Sequence, residues 1–194
     1  RPEPDVLAAL FETRRVRGLS EPHLRRAADL LDGTLERVLS LDGSHDVAID
    51  MAGFVAAEAY GTLPMPEPPV QRLEAVFDSG LRSGAVLGMF GVAWRVLYLV
   101  AALPYLGWPH RAKADAELAR RLPDLAGKLE GAVGDGQQAE SLGVSQRARL
   151  GWLAHEIGSY VPEERVVECG NQLIRSALEL SDGERALPTG VAAQ

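Results

Sequence analysis

The chain has 194 residues, 46% hydrophobic and 24% charged, which is enough for one sizeable core and ordinary for a globular domain. Its net charge of −7 argues against a nucleic-acid backbone or an anionic membrane surface as the main partner, although a local basic patch is compatible with it. A lone cysteine, Cys169, excludes an intrachain disulfide framework and any cysteine-rich metal site, and suits a reducing cytoplasm. The opening RPEPDVL lacks the basic region and apolar run of a secretory leader, and the absence of an initial Met is compatible with trimming. Arginine supplies all but two of the 20 basic residues, Lys113 and Lys128 being the exceptions.

From Pro22 to Ser40, Leu24, Ala28, Leu31, Leu35 and Val38 recur at intervals of three and four, with Arg25, Arg26, Asp29, Asp32, Glu36 and Arg37 opposite. The spacing predicts an amphipathic helix capped at Ser20. A second helix is expected from Asp46 through Met51, Phe54, Val55 and Glu58 to Gly61. LPMPEPP, residues 63–69, holds four prolines in seven residues and cannot stay helical, so it is the expected internal hinge.

The next helix is expected from about Val70, bending around Gly80, Gly84, Gly88 and Gly91 into the most apolar stretch of the chain, Ala85–Leu103. Nineteen helical residues would span about 28 Å, near the ~30 Å of a bilayer core, but Arg95 near the middle would cost about 2.5–3.5 kcal/mol there. Integral insertion is therefore not expected, and the stretch reads as a buried central helix. Pro104 and Pro109 bracket a tight corner holding Tyr105 and Trp108. Leu118, Leu122, Leu125 and Leu129 mark a further helix in which Pro123 predicts a kink or a new start. Residues 134–143 form a polar loop. Ser145 begins a helix with Leu150, Trp152, Leu153 and Ile157, and Pro162-Glu163-Glu164 opens another with Val166, Val167, Leu173, Ile174, Ala177 and Leu178. The expected architecture is all-α, one domain over 1–182 with six to eight helices around the buried apolar one, and a frayed tail over 183–194.

The four histidines, His23, His45, His110 and His155, lie on separate segments, and no HExxH, metal-spaced Cys/His pair, paired Glu-x-x-His, aspartate-rich cluster, phosphate loop or GxSxG elbow occurs. No metal or cofactor is expected. Cys169, on the inner part of a helix, reads as a small core residue. Arg95 is the residue whose position needs explaining, since a guanidinium in so apolar a segment must pair, reach the surface or face a cavity. Asp78, Glu58 or Glu179 could supply its carboxylate. The glycines at 80, 84 and 88 would leave a flat stripe for a close helix neighbour, a homodimer or protein partner included.

Several segments in order resemble the middle of a cytochrome P450. LAALFETRRVRGLSEPHLRRAADLLDGTLE is similar to that family's stretch around the C and D helices, and HDVAIDMAGFVAAEAYGTLPMPEP to the stretch that follows. LPYLGWPHRAKADAELARRLPDLAGKL resembles the approach to the G helix, and VPEERVVECGNQLIRSALEL the lead-in to the I helix, so the resemblance covers roughly residues 7–180. The chemistry does not follow. Setting the haem motif FxxGxxxCxG on Cys169 puts Pro162 at the Phe position and Arg165 and Asn171 at the glycines. The I-helix (A/G)GxxT is missing, and Glu-x-x-Arg occurs only upstream of its family position, at Glu12–Arg15 and Glu117–Arg120. The resemblance therefore implies a haem-less relative, not a monooxygenase. Such relatives include longer auxiliary partners of glycosyltransferases.

Two functional expectations follow. In the first, a cofactor-free helical enzyme of bacterial specialised metabolism holds a hydrophobic polyketide- or terpenoid-like substrate and promotes a cyclisation or isomerisation by orientation and a few donors. Arg95 and Tyr98 would be catalytic, polarising a substrate oxygen, while Met89, Phe90, Trp94, Tyr105 and Trp108 would bind the substrate as the pocket wall. In the second, a non-catalytic P450-like auxiliary protein activates or stabilises another biosynthetic enzyme, such as a glycosyltransferase.

Overall fold

The structure, a computed structural model, describes residues 46–62, 70–82, 87–134 and 141–186, together with positions 22, 26, 29, 33, 35–37, 39 and 40. The protein is all-α. The helices are α1 (Asp46–Thr62), α2 (Val70–Arg82), α3 (Met89–Ala102), α4 (His110–Val133), α5 (Val144–Tyr160) and α6 (Glu164–Ala186), with a 3-10 turn at Leu103–Tyr105 and no strand among the described residues. Helical positions between Pro22 and Leu39, with Leu35 fully buried, agree with the first amphipathic helix. The 63–69 hinge, most of the 134–143 loop and the last eight residues lie outside the described residues. The chain forms two compact units, Arg1–Arg121 and Leu122–Gln194.

In the first unit α3 is the interior element. Every residue from Gly91 to Ala102 except Trp94 is buried, because the segment offers an apolar side chain on every face. Ile49 and Phe54 of α1 and Leu73, Val76 and Phe77 of α2 share its core. The apolar helix is shorter than the sequence predicts: its 14 residues span about 21 Å, against ~30 Å for a bilayer core. No helix among the described residues is long and apolar enough to cross a membrane.

The expected continuous helix through the glycines is corrected. Helix α2 stops at Arg82, and α3 starts afresh with Gly88 as its N-cap in extended conformation (φ −65°, ψ 173°). Glycine suits a helix interior poorly and a boundary well, so the run of glycines ends one helix and begins another. Gly80 and Gly88 therefore do not share one helical stripe, Gly84 lies outside the described residues, and a Cβ on Gly88 would touch nothing within 4 Å.

Pro123 neither breaks nor restarts α4, which runs through it. The missing N–H strips a partner from the Ala119 carbonyl, but Ala119 and Pro123 are both exposed and water can replace it. In the second unit, Leu125, Ala126, Leu129 and Ala132 of α4 are buried, as are Leu150, Leu153, Ala154 and Ile157 of α5 and Val166, Cys169, Leu173 and Ala177 of α6. Helix α6 continues to Ala186, past the expected frayed end. Leu178, expected on its inner face, is 62% exposed, because the buried stripe passes from 173 to 177.

Helix α5 starts at Val144, with the Gly143 N–H donating to Gln146 Oε1 at 3.0 Å. It then meets α6 at small residues. A Cβ on Gly151 would lie 2.5 Å from Ile174 Cγ1, one on Gly158 2.4 Å from Val167 Cγ2, and one on Gly170 2.8 Å from the Ala154 Cβ. The two backbones are thus drawn together where neither has a side chain to hold them apart.

Candidate functional site

Arg95 is 4% exposed, and its partner is none of the three carboxylates expected. The Arg95 Nε–H donates to Asp50 Oδ1 at 2.7 Å and Oδ2 at 2.8 Å, and Asp50 on α1 is fully buried. Asp78 faces His110 instead, Glu58 is half-buried on α1, and Glu179 is exposed on α6. One guanidinium and one carboxylate, both out of water, neutralise each other across α1 and α3.

Tyr98, one turn after Arg95, is 1% exposed and bridges the other two helices. Its hydroxyl donates to the Leu73 carbonyl of α2 at 2.8 Å, and its ring lies so close to Gly53 that a Cβ there would fall 2.5 Å from Cε2. Glycine at 53 leaves the space the ring fills. The two groups expected to polarise a substrate oxygen are thus both engaged inside the fold.

The five expected wall residues differ in exposure. Met89, Phe90, Trp94 and Tyr105 are half-buried, with the Trp94 ring tilted at 58° against Phe54 at a centroid distance of 6.1 Å. Trp108, expected to shape the interior, is 82% exposed. It sits on the expected proline corner, where Leu103–Tyr105 makes a single 3-10 turn and the Trp108–Pro109 peptide is cis. The corner is tied to α2: the Gly107 N–H donates to Glu74 Oε1 at 3.2 Å, and His110 Nε2 stands 3.3 Å from Asp78 Oδ2. The next turn is secured by the Arg111 N–H to the Gly107 carbonyl at 2.9 Å. An exposed indole is therefore carried on a braced support.

A groove of about 970 Å³ lies within the second unit, lined by Val133, Gly158, Pro162 and Val167 and floored by Cys169. At its edge Arg165 grips Glu130 in a two-pronged ion pair, Nε–Oε1 and Nη2–Oε2 both at 2.8 Å, joining α4 to α6. Burial pushes the Cys169 thiol up, with Glu130 and Glu168 adding to the shift and Arg165 opposing it. It is a protonated, inward side chain, as its place in the helix pattern implies. We expect native Cys169 to react with a thiol-specific reagent at least about tenfold more slowly than in urea at the same pH; equal rates would remove it from the core.

Haem, which the sequence resemblance would bring with it, does not fit this cysteine. Cys169 lies inside α6 as a buried residue, and the positions that would need glycine carry Arg165 and Asn171 on the same helix. No family model matches the chain, and no curated protein or solved structure is significantly similar to it.

Proposed function

We propose that this protein is a non-catalytic helical interaction protein, an auxiliary partner that docks on another enzyme through the Trp108 corner. The observation that supports this reading is the 82% exposed indole on a braced turn, a residue type that dominates interface energetics when it enters a partner's pocket. The engagement of Arg95 by Asp50 and of Tyr98 by the Leu73 carbonyl supports this reading over a cyclase or isomerase around α3. The class of partner, a biosynthetic enzyme such as a glycosyltransferase, is supported by the sequence resemblance alone.

The test replaces Trp108 with a photocrosslinking amino acid in cells that express the neighbouring biosynthetic genes. A discrete adduct with one biosynthetic enzyme is expected. No adduct, together with saturable quenching of Trp94 fluorescence by a hydrophobic small molecule, would overturn the proposal in favour of ligand binding. Trp108→Ala should leave unfolding stability within about 0.5 kcal/mol of the parent, because the side chain is exposed. A larger loss in urea unfolding would make the indole a structural element instead of a docking one.

A further inference from the structure

The corner that carries Trp108 is held by an unusual arrangement of one imidazole and two carboxylates. Glu74 Oε1, which accepts the Gly107 N–H, also lies 3.4 Å from His110 Nδ1. The opposite ring nitrogen, Nε2, lies 3.3 Å from Asp78 Oδ2. Glu74 and Asp78 are four residues apart on α2 and so share a face, while Phe77 packs edge-on against the imidazole with centroids 6.0 Å apart at 80°. The carboxylates sit on opposite sides of the ring, and among the described residues no three His, Cys, Asp or Glu side chains are grouped to hold a metal ion.

A neutral imidazole has one N–H and one bare lone pair, so either tautomer satisfies one carboxylate and sets the lone pair against the other. The imidazolium presents an N–H to each, in a hydrogen bond to Asp78 at 3.3 Å and an ion-pair contact with Glu74 at 3.4 Å. Among the described residues of α4, Arg111 and Lys113 on its first turn, together with the positive end of that helix, oppose a cation at 110. The segment from Leu103 to Pro109 carries no charge, and Tyr105 is its only titratable side chain. Two carboxylates at contact distance therefore compete with a helix end and two exposed, solvent-screened cations.

We propose that His110 is a proton-operated latch on the Trp108 corner: protonation closes both carboxylate contacts and fixes the corner to α2, and deprotonation releases one of them. The latch would regulate the surface proposed above, and it rests on that reading for its use, though not for its chemistry. With the ring protonated the corner is tight and the indole is presented in one orientation, and a pH series from about 8 to about 5 reads the change.

The test follows the Gly107 amide and the Trp108 indole of the intact chain by NMR across that pH range. After correction for intrinsic exchange, Gly107 protection should rise about tenfold on acidification, the effect of one charge-assisted hydrogen bond, with the indole signal moving along the same single-proton curve. His110→Gln should flatten both curves. Asp78→Asn, at a half-exposed position that tolerates substitution, should halve the response or more. Curves unchanged by both variants would overturn the latch. Photocrosslinking at position 108 at both pH values separates the two claims. An adduct that forms while Gly107 ignores His110 overturns the latch and leaves the docking surface standing. No adduct, while His110→Gln abolishes the Gly107 response, overturns the docking surface and leaves the latch.

Discussion

Arg95→Met is expected to destabilise the first unit by about 3–5 kcal/mol, the penalty for stranding one member of a buried ion pair. Asp50 is fully exposed to that penalty because it has no route to water: its residue is 0% accessible, and both oxygens receive the same Arg95 N–H. A domain is usually stable by only about 5–15 kcal/mol, so the loss is large enough to leave this unit partly unfolded at room temperature. One further variant and one pH series distinguish a structural pair from a catalytic one. The double variant Asp50→Leu/Arg95→Met removes both charges at similar volume and should recover most of the stability, since a well-packed apolar pair often matches a buried ion pair. The single-variant loss should also shrink as pH falls, because a protonated Asp50 is cheaper to bury without the guanidinium. Urea unfolding followed by circular dichroism measures all three. A single variant as stable as the parent would mean that the pair contributes nothing and that Arg95 is held for some other task.

That pair also shows where the sequence was legible and where it was not. The apolar density of α3 announced a buried helix, and a lone arginine inside it announced a partner. Asp50 went unrecognised because Asp78, Glu58 and Glu179 were the carboxylates considered for Arg95. Yet it is the only charge between Asp46 and Glu58, as Arg95 is the only charge in α3. A single acid in the apolar middle of one helix and a single base in another were the available signal. Prolines were informative at the corner, which Pro104 and Pro109 bracket, and less so at Pro123, through which α4 runs. Glycines were harder, since the same residue serves caps, tight crossings and open helix faces. The outward turn of Trp108 had no sequence signal at all, because an indole between two prolines is compatible with either side of the chain surface.

Gly151→Ala is expected to destabilise the second unit by about 1–3 kcal/mol, although the same change normally strengthens a helix by up to about 1 kcal/mol. The added methyl would meet Ile174 Cγ1 at 2.5 Å and the Gly170 carbonyl oxygen at 3.0 Å. Ile174 can rotate, at the cost of a less favourable rotamer, but the carbonyl belongs to the α6 backbone and cannot move without shifting that helix. Gly127→Ala is the control, because it is an exposed mid-helix glycine of α4 whose Cβ would touch nothing within 4 Å; it should stabilise by about 0.4–1 kcal/mol. A double-mutant cycle with Ile174→Ala divides the two clashes. If the isoleucine were the whole obstacle, Gly151→Ala would become stabilising in that background. The carbonyl contact predicts that part of the loss persists, which is the signature of two helix backbones in contact, not of one crowded side chain.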